Sequence, residues 1–257
     1  MIKIENYEVV GWEHAIRGMR NPMNSWENSD THYCSKYEDC VGCPALDKDE
    51  RCTRINEADY TTEPVVVGPN DHKLMMKLAN AGPVHGKYRR MITVYVDITA
   101  PLYWWKEFDT YKVGTVANSC STMHKIHEKE FTEEDFSCEH LPISYYDCLP
   151  TEDMIKTYPN GEMCYYSPKG VFKMTIDMLN KSRERYLETK DKKYWWQMIQ
   201  LLPSSYNQKR TIKMNYEVLA NIYEYRKDHK LDEWRELCKW IESLPYSEII
   251  TGGVVSE

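Results

Sequence analysis

The stretch that decides the fold is residues 104–124, which read WWKEFDTYKVGTVANSCSTMH. Its first part mixes aromatic, apolar and charged residues at helical spacing, whereas its second part is rich in small and polar residues. We therefore predict a helix over 104–112 that is followed by a polar loop over 113–124. The two tryptophans at the start of this helix are more typical of a core than of a binding site.

A second informative stretch covers residues 201–234 and opens with a Leu-Leu-Pro sequence. Several of its residues fall at the three- and four-residue spacing of a helical face, namely Asn215, Leu219, Ile222, Tyr223 and Arg226. The same spacing recurs on either side of it. We predict four helices in this half of the chain, over 171–189, 192–202, 204–227 and 231–243.

Upstream of the first stretch, the pattern predicts a helix followed by a strand. Asp71 stands where an N-cap is expected, and the helix after it ends at a Gly-Pro pair. Residues 89–98 alternate apolar and polar side chains and are rich in Val, Ile, Thr and Tyr, as in a half-buried strand. A strand near 7–11 and a short helix over 151–157 complete the predicted elements.

Together the two stretches resemble the two active-site segments of the flavin-dependent thymidylate synthases, whose signature is written R-H-R-x-x-S-x-N-E-x-S-x-R-Y. Asn118 and Ser121 match this signature when one residue is inserted near Ala117. Lys112 and Thr115 replace a cation and a hydroxyl conservatively. The resemblance covers most of 70–124 and 198–242.

The second stretch carries the C-terminal pattern of the same family. The matching residues are Leu202-Pro203, Asn215, Leu219, Arg226 and Trp234. Met123 and Glu217 stand where the family has arginines, and Ile199 or Gln200 stands near a third such position. Other cations are therefore expected to supply the missing charge, and the candidates are Lys112, Lys125, Arg210, Arg17 and Arg20. The alternative is that the ligand has changed.

The resemblance implies an α/β (α+β) fold with a central mixed sheet and long C-terminal helices. A chain of 257 residues has room for one sizeable core or two small ones. We predict a single domain over 1–257 with two insertions. The first, over 30–64, is polar and rich in cysteine, and the second, over 128–170, lacks a sustained period.

The implied activity is the reductive methylation of a pyrimidine deoxynucleotide, dUMP to dTMP. The family uses FAD, with methylenetetrahydrofolate as the one-carbon donor and NADPH as the reductant, and builds its flavin sites across the subunits of a homotetramer. It has no nucleophilic cysteine, because reduced flavin supplies the hydride. The protein's own task is then positioning and electrostatics.

The resemblance also implies roles for individual residues. Ser121 and Arg226 are the expected catalytic residues, and they bind the substrate together with Lys125 and Arg210, because an anionic nucleotide needs cations and hydroxyl donors. The residues expected to contact the cofactor are Asn118, Lys112, Thr115, Asn215 and His85. Structural roles remain open as well, since a loop serine often caps a turn and an arginine often closes a helix.

Four of the nine cysteines form a C-x5-C-x2-C-x8-C cluster, namely Cys34, Cys40, Cys43 and Cys52. Four thiolates in one loop can hold a zinc ion or an iron-sulfur cluster. Zinc is favoured because a loop without a core of its own gains folding energy from such a clamp. Free or transiently oxidised thiols are the alternative.

The net charge and the hydropathy of the sequence indicate which class of partner and which cellular compartment to expect. A net charge of −7 argues against binding to duplex nucleic acid, which requires a basic surface. The sequence lacks a run of about 18 apolar residues and the pattern of a signal peptide, so we expect no membrane span and a cytoplasmic protein.

Two other functions stay open at this point. The first is a divergent flavoenzyme on the same fold that modifies another pyrimidine nucleotide. The second is a non-catalytic nucleotide-binding or interaction protein that kept the scaffold and lost the chemistry. Bound flavin separates the enzymes from the binding protein.

Overall fold

The computed structural model describes residues 2–34, 65–141, 155–157, 163–165 and 167–252. In chain order its elements are β1 (Lys3–Val10), α1 (Trp12–Arg20), β2 (His32–Tyr33), β3 (Val65–Val66), α2 (Pro69–Asn80), β4 (Thr93–Pro101), α3 (Leu102–Phe108), β5 (Val116–Ser119), β6 (Ile155–Thr157), β7 (Met163–Tyr165), α4 (Pro168–Thr189), α5 (Lys192–Leu201), β8 (Asn207–Asn215), α6 (Tyr216–Arg226), α7 (Asp232–Glu242) and α8 (Glu248–Thr251). Short 3-10 helices lie at Asn21–Met23, Trp26–Asn28, Gly86–Arg90 and Glu133–Asp135.

The strands form one larger sheet and two small antiparallel pairs. The four-stranded sheet has the order β1-β4-β8-β5, so that β5 lies at an edge, and β2 pairs with β3 and β6 with β7. This architecture confirms the predicted α+β class and the long C-terminal helices, whereas the central sheet is antiparallel and not mixed as predicted. No helix of the described residues combines the length and the apolar character that a membrane span requires.

The chain divides into two compact units, each with its own buried side chains. The first unit comprises Met1–Lys3, Ile98–Thr110 and Asn118–Arg210, and the second comprises Ile4–Asp97, Tyr111–Ala117 and Thr211–Glu257. The prediction of a single domain over 1–257 stays a prediction.

The core of the first unit combines the aromatic cluster of α3 with the hairpin of α4 and α5. Trp104, Trp105 and Phe108 lie within 5.3 Å of one another by ring centroids and are buried, as the sequence indicates. A second apolar cluster contains Ile126, Phe131, Phe136, Phe172, Ile176, Leu179 and Met198. At the turn of the hairpin, Asp191 caps α5 by accepting from the backbone N–H of Lys193 at 3.0 Å.

The second unit is built around large side chains from α1, α2, α6 and α7. Fully buried members are Met75, Met76, Tyr216, Leu219, Trp234, Leu237 and Ile241. The start of α1 requires a glycine, because Gly11 has a φ of 95° and a Cβ there would lie 2.2 Å from the carbonyl oxygen of Met91.

The predicted helix over 204–227 is wrong in its first half. Asn207–Asn215 is strand β8, and the helix α6 begins only at Tyr216. The reason is visible in the side chains of Gln208, Ile212 and Met214, which are buried at even positions with half-buried or exposed residues between most of them. That two-residue period belongs to a strand, whereas the helical spacing holds only from Asn215 onward.

Three smaller predictions also need correction. The polar loop after α3 contains the strand β5, and the described part of the predicted 151–157 helix is strand β6. The strand predicted over 89–98 starts later, at Thr93, and runs to Pro101. A periodic pattern that extends over only a few residues is too weak a signal to distinguish loop, helix and strand.

Asp71 does not cap α2. This helix starts at Pro69, and the carboxylate of the distant Asp30 accepts from the backbone N–H groups of Asn70 and Asp71 at 2.8 and 3.1 Å. The Asp71 side chain is instead buried and bonded to Arg20. A cap supplied from 40 residues away is invisible to a local reading of the sequence.

Candidate functional site

The predicted site residues fall in both units. Asn118, Ser121, Lys125 and Arg210 belong to the first unit, and His85, Lys112, Thr115, Asn215 and Arg226 belong to the second. That Ser121 and Arg226 act together on one substrate, as the resemblance implies, therefore stays a prediction.

In the first unit, residues 118–124 leave the edge strand β5 and turn back on themselves. All four residues of β5, including Asn118, are exposed. The backbone N–H of Cys120 donates to the carbonyl oxygen of Lys209 at 2.9 Å, and Gln208 Nε2 donates to the Cys120 carbonyl oxygen at 2.8 Å. This segment is thus attached to β8 through both the N–H and the carbonyl group of one residue, Cys120.

Ser121 organises the turn that follows. Its Oγ accepts from the backbone N–H groups of Met123 and His124 at 3.1 and 2.9 Å, and the residue is exposed. The indole Nε1 of Trp195 donates to the Met123 carbonyl oxygen at 3.1 Å. The serine therefore has the capping role that sequence reasoning held open, and its hydroxyl hydrogen remains able to donate to a ligand.

Arg210 is held by three groups of the same unit. Its guanidinium carbon lies 4.2 Å from the centroid of the Trp105 ring, and Nη1 lies 2.8 Å from Asp109 Oδ1. Its Nε donates to Gln208 Oε1 at 3.0 Å. Lys125, another predicted substrate ligand, is exposed and pairs with Glu128, three residues further along the chain.

In the second unit, Arg226 lies at the C-terminal end of α6 between two aromatic rings. Its Nε donates to the Tyr111 hydroxyl at 2.9 Å. Its guanidinium carbon lies 4.7 Å from the Trp234 ring centroid and 5.7 Å from that of Tyr111. Tyr111 lies in the first of the two stretches that carry the resemblance, and Trp234 lies in the second. The cation–π contacts with these rings orient the planar guanidinium group. Arg226 is therefore more than a surface residue that closes a helix.

At the opposite, N-terminal end of α6, Asn215 caps the helix. Its Oδ1 accepts from the backbone N–H of Val218 at 3.0 Å, and the residue is buried. Gly114 has a φ of 83° and packs closely on this cap, since a Cβ there would lie 3.1 Å from Asn215 Nδ2. The hydroxyl oxygen of Thr115 is buried without a hydrogen-bond partner among the described residues. A buried polar atom of this kind normally has a partner, which a bound ligand or a water molecule would supply.

Glu217 stands where the family has an arginine, and the structure shows its partner. Arg89 Nε and Nη2 lie 2.8 and 2.7 Å from Glu217 Oε2, and Arg89 Nη1 donates to the Ile249 carbonyl oxygen at 3.1 Å. Burial raises the pKa of the neighbouring Tyr88, whose hydroxyl donates to the Met75 carbonyl oxygen at 2.8 Å. Sequence reasoning missed Arg89, because 128 residues separate it from Glu217.

Arg17 and Arg20, two of the candidate cations, line one cleft of about 310 Å³ in the second unit. Arg20 is buried and donates to Asp71 at 2.6 Å, whereas Arg17 is exposed and lies 3.3 Å from His14 Nδ1. Burial would raise the pKa of Asp71, but hydrogen bonds from Thr31, Ser29 and Arg20 outweigh it and bring the value below the ordinary one. Arg20 is thus committed to a structural ion pair.

The remaining predicted residues are placed as follows. Lys112 and His85 are exposed in the second unit. Cys34 is buried, whereas Cys40, Cys43 and Cys52 lie outside the described residues. The part of the chain that the structure describes contains no group of His, Cys, Asp and Glu suited to a metal ion. The zinc site stays a prediction.

Comparison with solved structures identifies the architecture. Thymidylate synthase X (ThyX) from Helicobacter pylori, solved with FAD and dUMP, matches with a TM-score of 0.57 and 16% identity, over 97% of this chain and 95% of that protein. The chain has the ThyX fold. The UMP/dUMP methylase PolB from Streptomyces cacaoi, solved with 5-bromo-dUMP, matches with a TM-score of 0.53 and 12% identity, over 98% of this chain and 95% of that one. No family model and no curated protein sequence matches this chain.

One of these matched proteins is thus described as a methylase of UMP as well as of dUMP.

Proposed function

We propose that this protein is a flavin-dependent nucleotide methylase that methylates a uridine monophosphate, dUMP in the first instance, with methylenetetrahydrofolate and NADPH. The single observation that supports this proposal is the ThyX fold over almost the whole chain, shared with proteins solved with FAD and dUMP or with 5-bromo-dUMP. FAD, NADPH, a homotetramer and a cytoplasmic location belong to the proposal and not to the structure.

The residues of the second unit fit a flavin site. The buried Thr115 hydroxyl oxygen has no partner among the described residues, which is expected where a bound group supplies one. Exposed Lys112, three residues before it, offers a cation for a flavin phosphate. When bound, FAD supplies the hydride that converts the transferred one-carbon unit into a methyl group.

Arg226 is the residue that makes the main contact with the nucleotide in this proposal. Two aromatic rings and the hydrogen bond that Arg226 Nε donates to the Tyr111 hydroxyl fix the orientation of the planar guanidinium, so little side-chain entropy is lost when an anion binds. We assign it to the phosphate or to an oxygen of the pyrimidine ring. Ser121 adds a hydroxyl donor, and its turn fixes the backbone beside it.

The decisive experiment uses the purified full chain and FAD. We expect a yellow protein, or one that binds added FAD close to stoichiometry, and release of tritium from the fifth ring carbon of dUMP. UMP and dCMP, labelled at the same carbon, are the parallel substrates. An Arg226→Lys variant should bind dUMP roughly tenfold more weakly, because lysine cannot reproduce the stacked, planar contact. A colourless protein that cannot be reconstituted with FAD would refute the proposal.

The Arg89–Glu217 pair favours a second candidate, a divergent flavoenzyme for another pyrimidine nucleotide. An ion pair replaces a positive charge at the Glu217 position, so an anionic group would meet a net neutral site there. Tritium release from UMP or dCMP without release from dUMP would favour this candidate. Nucleotide binding without flavin would favour a non-catalytic binding protein.

A further inference from the structure

A chain of hydrogen bonds runs from the Asp109 carboxylate through the side chains of Arg210 and Gln208 to the backbone of Cys120. Asp109 pairs with Arg210, and Arg210 Nε donates to Gln208 Oε1 at 3.0 Å. The other end of the same amide, Gln208 Nε2, donates to the Cys120 carbonyl oxygen at 2.8 Å. A charged group is thereby connected, through one glutamine, to residues 118–124.

Arg210 is held in one orientation. Its side chain is 15% exposed, and the guanidinium stacks on Trp105, which is itself fixed by a hydrogen bond from Nε1 to the Gln208 carbonyl oxygen at 2.9 Å. Stacking on Trp105 fixes the plane of the guanidinium group, and the ion pair with Asp109 fixes its rotation within that plane. Its Nε–H therefore points at the Gln208 side chain.

This contact sets the orientation of the glutamine amide. A guanidinium has donors and no acceptor, so Gln208 must turn Oε1 toward Arg210 and its NH₂ group toward Cys120. If the amide rotated by half a turn, its oxygen would face the carbonyl oxygen of Cys120. Gln208 is buried, so water would compensate poorly for the two opposed acceptors.

We propose that Arg210 is a positioning residue for segment 118–124, acting through Gln208, and not a ligand of the nucleotide phosphate. Among the described residues, the other attachments of the segment are hydrogen bonds between neutral groups, namely the pairing of β5 with β8, the bond from Cys120 to Lys209, those within the Ser121 turn and the one from Trp195. The ligand of this segment rests on the proposed function. The ordering of the segment is a property of the free protein.

The test is hydrogen exchange on the full-length, ligand-free protein in three variants. Arg210→Met removes the donor that orients the amide. Gln208→Glu keeps a partner for Arg210 but removes the donor to Cys120. Lys106→Met is the control, because it removes one exposed positive charge from the same unit.

We expect Arg210→Met and Gln208→Glu to speed exchange about tenfold at the amides of Cys120, Met123 and His124. Protection in α7 should stay unchanged, and Lys106→Met should match the wild type throughout. Unchanged protection of the segment in Gln208→Glu overturns the proposal, even if Arg210→Met fails to fold.

A dUMP titration separates the two roles of Arg210. If it positions the segment, both variants bind dUMP more weakly and both show faster exchange. Weaker binding in Arg210→Met with intact protection identifies a phosphate ligand and overturns the proposal. A wild type that binds neither FAD nor dUMP refutes the proposed function, while the exchange experiment still decides the positioning role.

Discussion

Arg89 and Glu217 form a buried ion pair in which two guanidinium nitrogens lie 2.8 and 2.7 Å from one carboxylate oxygen. Both side chains are only about a tenth exposed. The resemblance to the flavin-dependent thymidylate synthases implied an arginine at position 217, whereas the structure has a glutamate there whose partner comes from another part of the chain.

Breaking this pair should destabilise the protein strongly. We expect Glu217→Gln and Arg89→Met each to lower the free energy of unfolding by about 3 kcal/mol, because each leaves one buried charge uncompensated. The double variant should lose clearly less than the sum. Urea unfolding of the four proteins measures this coupling.

The matched control is the exposed pair Lys239–Glu236 on α7. Removing it should change the free energy of unfolding by less than about 1 kcal/mol. Equal losses in the buried and exposed pairs would show that Arg89 and Glu217 are not coupled as described.

Asp71 should make the protein sensitive to acid. Its pKa in the folded protein lies below the ordinary 3.8, so its contribution to stability is full above that value and is lost as the pH falls through the folded pKa. The stability difference between wild type and Asp71→Asn should therefore be largest near neutral pH and shrink below about pH 4. Urea unfolding of wild type and variant across this range measures the difference, and an equal difference at pH 7 and below pH 4 would contradict it.

Asn215 allows the capping role to be separated from a cofactor role. Asn215→Ala should lower the free energy of unfolding by about 1 kcal/mol, whereas Asn215→Asp retains an acceptor for the Val218 N–H and should stay close to wild type. If the residue also contacts FAD, as the resemblance implies, Asn215→Asp will bind FAD more weakly at unchanged stability. Equal FAD affinity in wild type and Asn215→Asp would contradict that contact.

Gly114 and Gly82 form a matched pair with positive φ. A methyl group at Gly114 would lie 3.1 Å from Asn215 Nδ2 and from Val218 Cγ2, whereas one at Gly82 meets no atom within 4 Å. Both alanine variants pay the cost of a left-handed residue, about 1 kcal/mol. Gly114→Ala should lose more, and thermal unfolding of the two variants compares them directly. A larger loss in Gly82→Ala would rule out the close packing of Gly114 on the helix cap.

The cysteine cluster predicts one bound zinc ion per chain. Elemental analysis should find zinc in the wild type and none in a Cys40→Ser, Cys43→Ser double variant, because two of four ligands are lost. Cys120→Ser, which changes an exposed cysteine outside the cluster, should retain the metal. Wild-type protein without metal would leave the free-thiol alternative.

The sequence was sufficient for elements whose signal is local and repeated. The helices Pro168–Thr189, Lys192–Leu201 and Asp232–Glu242 were predicted to within three residues at each end. Each carries an apolar face at helical spacing over several turns. The resemblance in Asn118, Ser121 and Arg226 likewise indicated the fold from a few positions.

The sequence could not show whether a charged side chain binds a ligand or makes a contact within the protein, because its neighbours in the chain are compatible with both roles. Arg20 and Arg210 both looked like free cations, yet one is bonded to Asp71 and the other is stacked on Trp105 beside Asp109. The strand β8 was read as helix because its partners in the sheet are remote in sequence.

The amino-acid sequence by itself therefore determined the fold class, the long helices and the candidate site residues, because hydrophobic periodicity and motif spacing are properties of short segments. The tertiary structure was needed to show which charges are paired and how Arg226 contacts Tyr111 and Trp234. Such contacts join residues that are remote in sequence, such as Arg89 and Glu217, which lie 128 positions apart, and no local pattern encodes them.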